Sequence, residues 1–176
     1  MRLFVYLFEF VIYFEKRSDK IKGAKTMDRL IYTYKTTIDA PMKQVWDFFQ
    51  DPRNLAKIQR FPKVRIKEAE SESVEGSEIK MKIGLWGIGV NWRATIETVK
   101  KPYYFVDIAE KPPFPFTYWR HTHRFTREDG KSVMTDELEF AANVPSTVSH
   151  KILTYMFKTR EKQIQQAFHQ SKKDDR

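Results

Sequence analysis

The chain of 176 residues carries a formal charge of +9, is 41% apolar and 15% aromatic, and contains no cysteine. That length suits one domain with a sizeable core, and the apolar fraction excludes an intrinsically disordered chain. Lack of thiols excludes disulfide frameworks, thiolate metal sites and cysteine nucleophiles, and suits the expected cytoplasmic location.

MRLFVYLFEFVIYF, residues 1–14, is interrupted by Glu9 and falls short of the roughly 20 apolar residues that span a bilayer. It lacks a small-residue cleavage site, so it makes a poor signal peptide. EKRSDKIKGAKT follows as a polar linker, and the domain pattern opens at Met27. Residues 1–26 are expected to be an appendage, either from an upstream start codon or acting as a membrane-surface anchor. The domain is expected over 27–171, with a polar tail over 172–176. The appendage holds six Lys/Arg against three acids, a share of +3, which leaves +6 spread along the rest. Basic residues there often neighbour acids, as in KVRIKEAESE, and no RNP-type, zinc-finger or P-loop pattern accompanies them. The expected surface is therefore a solvated basic one, with no nucleic-acid partner and no integral membrane insertion.

RLIYTYKTTI alternates, with Leu30, Tyr32, Tyr34, Thr36 and Ile38 on one face, and predicts a strand. Asp39 before Ala40-Pro41 signals a helix start, and Met42, Val45, Trp46 and Phe49 form its apolar stripe. Asp51-Pro52 starts a second short helix that ends before Phe61-Pro62. From there the pattern is strand: KVRIKEAES, SEIKMKIGLW, VNWRATIETV, YYFVDIAE, FTYWRHTHRFT and SVMTDELEF. Gly84, Gly87 and Gly89 predict a bend or bulge. A long amphipathic helix runs from about Ser146 to Gln170, with Val148, Ile152, Tyr155, Met156, Thr159, Ile164, Ala167 and Phe168 as its stripe. Strands joined by hairpins, with helices set apart, predict an α+β fold. A curved antiparallel sheet of six to seven strands would wrap the terminal helix and leave a cavity between them.

The turn Asp129-Gly130 sets the register of the hairpin that carries the chemistry. It places His123 opposite Asp136, His121 opposite Leu138, Phe125 opposite Met134 and Trp119 opposite Phe140 on the inner face. Arg124, Thr122 and Arg120 then face outward, opposite Thr135, Glu137 and Glu139, so WRHTHR is not a nucleic-acid-binding cluster. Three readings follow for the histidines. His121 and His123 with Asp136 make a carboxylate-plus-two-histidine metal set, though residues two apart on a strand lie about 7 Å apart. Asp136 orienting His123 makes an acid–base pair. Hydrogen-bonded wall residues that anchor the polar end of a ligand make a third, and this is the expected role, with no metal and no cofactor. Trp92, Phe105 and Asp107 are further inward candidates, Asp107 alternatively a strand-end residue facing water.

Residues 28–170 resemble the START-like, or SRPBCC, superfamily of helix-grip proteins. The resemblance rests on YKTTIDAPMKQVWDFFQDPRNLAKI and, more specifically, on FVDIAEKPPFPFTYWRHTHRF followed by MTDELEF. The latter is similar to bacterial SRPBCC proteins of the polyketide cyclase/dehydrase-like group, with their W-x-H-x-H-x-F pattern. The matching positions are Phe105, Asp107, Pro115, Phe116, Trp119, His121, His123, Phe125 and Asp136. KPPFPF departs from the glycine that commonly precedes the Pro-Phe of that loop. The resemblance implies a hydrophobic cavity between sheet and terminal helix that takes lipids, polyketides or similar small molecules. It fixes no reaction, since members include carriers, cyclases and co-chaperone-like modules. The expected function is binding of a hydrophobic or aromatic small molecule by Trp92, Phe105, Trp119, His121, His123, Phe125, Met134, Asp136, Phe140 and Tyr155. The alternatives are a cyclase or dehydratase using His123 with Asp136, and a protein-interaction module.

Overall fold

The computed structural model describes residues 28–85 and 88–174; the expected appendage at 1–26 and Gly87 of the expected bend lie outside them. Period-two alternation shapes β1 (Leu30–Ile38), which buries Tyr32, Thr36 and Ile38 and leaves Ile31 in water. Helix α1 (Met42–Gln50) buries Val45, Trp46, Phe49 and Gln50. Its cap position is held by Pro41, two residues after the Asp39 that signals the start in the sequence. The next start does form as read: Asp51 Oδ1 accepts from the Arg53 amide at 2.9 Å and opens the 3₁₀ turn Pro52–Asn54. Helix α2 (Leu55–Ile58) follows directly.

Six more strands complete the sheet: β2 (Lys63–Glu68), β3 (Glu78–Leu85), β4 (Ile88–Lys100), β5 (Tyr104–Ala109), β6 (Phe116–Glu128) and β7 (Lys131–Ala142). They form one antiparallel sheet in the order β1-β7-β6-β5-β4-β3-β2. The first strand thus closes beside the last, and the α1–α2 connection carries the chain to the far edge. Register shifts at Ile66/Glu68, Ile96/Thr98 and Phe116/Tyr118 bend the strands that carry them. Of the glycines expected to bend the chain between β3 and β4, Gly84 and Gly89 pair with each other in a regular ladder. A Cβ on Gly89 would sit 2.7 Å from the Ile83 carbonyl oxygen, so glycine is required there by close backbone approach.

The β6–β7 hairpin keeps the register read from its turn. Asp129 and Gly130 have φ of 48° and 77°, both positive as a type I′ turn demands. His123 lies opposite Asp136, His121 opposite Leu138 and Trp119 opposite Phe140. On the outer face Arg120 stands opposite Glu139, but its Nε donates to Glu97 Oε2 at 2.8 Å, while Glu139 takes Arg29 at 3.1 Å.

Helix α3 (Ser146–Asp174) packs on the inner face of the sheet, where Tyr32 Oη donates to Thr154 at 3.1 Å and Tyr34 Oη to Glu161 at 2.6 Å. It buries Ser149, Leu153, Phe157, Arg160, Ile164 and Phe168. This stripe is turned about one residue from the expected one, and it leaves Tyr155 43% exposed. The physical reason is that two of the inward positions are polar, and an apolar pattern passes over them. No described helix is long and apolar enough to cross a membrane.

Two apolar clusters fill the interior. In the first, Trp46 meets Phe105 and Phe125 edge-on at 6.2 and 5.5 Å, and Met134, Ile96 and Phe168 complete it. In the second, Phe157 stacks on Tyr32 and Tyr34 at 5.5 and 5.6 Å beside Trp119, Leu138, Phe140 and Leu153. Each such side chain contributes roughly 1.5–3 kcal/mol by leaving water.

Candidate functional site

A cavity of about 110 Å³ opens between the sheet, the α1–α2 segment and α3. Its apolar wall includes Phe49, Leu55, Ile79, Met81, Trp92, Phe105, Trp119 and Met156, and its polar end is made by Asp107, His121, His123 and Arg160.

Three adjacent strands and the helix assemble that end. On β5, alternation puts Asp107 on the same face as Phe105, and its backbone pairs with His121 of β6. On β6, His121 and His123 follow two apart on the inner face, so their rings sit 3.9 Å apart at a tilt of 41°. His123 stacks on Phe105 at 4.3 Å, on the side of the first cluster; His121 meets Trp119 and Phe157, on the side of the second. The polar groups therefore occupy the seam between the two clusters.

His123 Nε2 and Asp107 Oδ2 share a hydrogen bond of 2.8 Å. Behind the rings, Asp136 is 1% exposed and brings Oδ1 to 2.9 Å from His121 Nε2 and 3.1 Å from His123 Nδ1. Arg160 Nη1 approaches the same oxygen at 3.7 Å. The two imidazole approaches lack the direction of a hydrogen bond and the guanidinium is too far for one, so Asp136 is held by charge in a tight fit rather than by aimed donors. Trp92 Nε1 and Arg160 Nε, both on cavity-lining residues, are buried donors without a hydrogen-bond partner among the described residues.

Burial works against charge on all these groups, and their neighbours decide the outcome. For Asp136, burial is outweighed by the Arg160 guanidinium and the two histidines, which hold its carboxyl well below the usual carboxylate range. For Asp107, burial is outweighed by the bond and charge of His123, again lowering the carboxyl. Burial would lower His123 too, yet Asp107 and Asp136 on its two nitrogens raise it. At His121, burial and the charge of His123 prevail over both carboxylates, and the imidazole is pushed down toward its neutral form. Two carboxylates and a guanidinium thus share a seam of low dielectric with two imidazoles, His123 held toward its charged form and His121 toward its neutral one.

The residues expected at the site separate into three groups. Trp92, Phe105, Trp119, His121 and His123 line the cavity. Asp136 stands behind the histidines, while Phe125, Met134 and Phe140 are buried in the packed clusters. Tyr155 lies on the outer side of α3, edge-on to Phe61 at 4.7 Å. His121 was expected in apolar company opposite Leu138; its ring in fact reaches the Asp136 carboxylate. Asp107 is no strand-end residue in water, since its carboxylate bonds a buried histidine. Sequence reasoning missed Arg160, whose signal is a cation at helical spacing from Phe157 and Ile164.

The sequence matches no family model and no curated protein. Solved structures do match. A START superfamily protein from Mycobacterium smegmatis superposes with a TM-score of 0.63 at 9% identity, covering 80% of this chain and 97% of that one. An AHSA1-like protein from Aeromonas hydrophila gives 0.61 at 11% identity, covering 78% and 94%. An uncharacterised protein from Bacillus thuringiensis gives 0.64 at 18% identity, covering 79% and 98%. With its seven-stranded antiparallel sheet, short helices after β1 and long terminal helix, the chain has the START-like helix-grip fold.

Proposed function

We propose that the protein binds a compact hydrophobic or aromatic molecule in the cavity, with a polar group of that molecule held at the Asp107/His123/Arg160 end. The observation that carries this reading is an apolar wall converging on buried donors that lack partners, Trp92 Nε1 and Arg160 Nε. Buried donors left unpaired cost about 1–3 kcal/mol each, and an acceptor on a ligand would satisfy them. The volume, about 110 Å³, suits one ring or a short chain. It is well under the roughly 300–1,000 Å³ of pockets for drug-sized ligands.

A wall role, holding the two carboxylates while Trp92 and Arg160 meet the ligand, fits His123 better than proton transfer does. Both its ring nitrogens already face carboxylates, at 2.8 and 3.1 Å, so neither is free for a substrate. The test is titration of chelator-treated protein with indole, 1-naphthol and short-chain carboxylic acids, followed by the fluorescence of Trp92 and Trp119. Saturable quenching that Arg160→Met weakens tenfold or more is the expected result. Flat titrations with all three classes, on protein whose melting curve shows it folded, would overturn the reading.

A further inference from the structure

The polar end of the cavity has the layout of a metal centre. Asp107 Oδ2 lies 2.8 Å from His123 Nε2 and 3.9 Å from His121 Nδ1. The three atoms all fall within 4.8 Å of one another. Donors bound to one ion at about 2.1 Å stand roughly 3.0–3.4 Å apart in tetrahedral or octahedral geometry, so small ring rotations suffice to seat one. We propose that Asp107, His121 and His123 bind a divalent first-row transition ion through Oδ2, Nδ1 and Nε2, with Asp136 holding both imidazoles from behind.

Three independent features point beyond a plain charge network. First, the two histidines come from one strand face, yet each turns a different nitrogen toward the cavity and its other nitrogen toward a single Asp136 oxygen, at 2.9 and 3.1 Å. An outer carboxylate is the usual companion of metal-bound histidines, and the ring rotations that seat an ion would aim both remaining N–H groups at Asp136. Second, the three candidate ligands line the cavity and Asp136 does not, so open coordination positions would face the space where a small molecule fits. Third, two carboxylates against a single guanidinium leave the seam one negative charge when both imidazoles are neutral, a field that attracts a cation.

The donor set narrows the ion. Two imidazoles and one carboxylate suit zinc, iron, cobalt or nickel, whereas calcium and magnesium favour shells made entirely of oxygen. This layout differs from the carboxylate-plus-two-histidine set legible in the sequence. There the third ligand was Asp136; here Asp107 takes that place and Asp136 is the outer support. An ion would take the position of the proton that His123 shares with Asp107, and would itself receive the polar end of a cavity ligand. The proposal needs no organic ligand, so its failure and that of the binding reading are separable.

The experiment uses the full chain, purified without a polyhistidine tag, stripped with chelator and dialysed free of it. Titration with Co²⁺ alone is expected to give visible d–d absorption that saturates at one equivalent and is displaced by Zn²⁺. Elemental analysis should then find one zinc per chain. Asp107→Asn and His121→Ala should each weaken Co²⁺ binding more than 100-fold, and Asp136→Asn about 10–100-fold. His150→Ala/His169→Ala, which removes the other two histidines of the chain, should leave the titration unchanged. Wild-type protein that shows no saturable d–d band with Co²⁺ up to millimolar concentration overturns the site without reference to any variant. So does a one-equivalent titration that survives Asp107→Asn and His121→Ala.

Discussion

The interior has two kinds of region, and they solve burial differently. Around Trp46, Phe105, Phe125 and Met134, large apolar side chains interlock and need nothing but each other. In the seam beside them, Asp107, His121, His123, Asp136 and Arg160 are buried as charges and dipoles whose stability is conditional on every partner being present. The first region is held by area removed from water, which adds up residue by residue. The second is held by compensation, which fails as a unit when one member is lost.

That contrast can be broken by substitution. Asp136→Ala leaves the buried Arg160 charge without its counter-ion and should destabilise the fold by about 3–5 kcal/mol in urea titration. The paired change Asp136→Leu with Arg160→Met should recover most of that loss, because like-sized apolar groups replace a buried ion pair with little penalty. If the double variant is as unstable as the single one, the seam is held by shape rather than by charge. Met134→Ala, in the apolar region, should cost about 2–5 kcal/mol through cavity formation, with no partner change able to rescue it.

Acidity separates the regions more finely. Asp107 and Asp136 have carboxyl groups lowered in the folded protein, so the unfolded chain binds protons first as pH falls. Their contribution to stability is complete above the ordinary carboxylate value and is lost as pH falls through the lowered folded ones. The urea midpoint of metal-free protein should therefore drop between about pH 5 and pH 3, more steeply than in Asp136→Leu/Arg160→Met. Equal slopes would remove Asp136 from the account. The smallest expected effect lies outside both regions. Arg120→Ala breaks the exposed bond to Glu97 and should shift stability by less than about 1 kcal/mol.

Much of this was legible in the sequence where chemistry is local. The β6–β7 register followed from two turn residues, because a two-residue loop leaves the flanking strands no freedom to slip. The inward histidines and their facing carboxylate came with it. The helix-start signals at Asp39 and Asp51 and the apolar stripe after Ser146 likewise placed the helices and the long terminal element. Asp107 was ambiguous, since β5 reaches β6 through KPPFP, a connection that sets no register, and the pairing with His121 appears only once the strands dock.

What the sequence by itself determined is therefore the strand faces and the hairpin pairing, both consequences of period-two alternation and turn geometry. Tertiary structure alone decided which oxygen each histidine meets and how far α3 rotates about its axis. A helix chooses its rotation by what its whole surface contacts. Here Arg160 turns inward because Asp136 is there to receive it, a reason that lies on another strand.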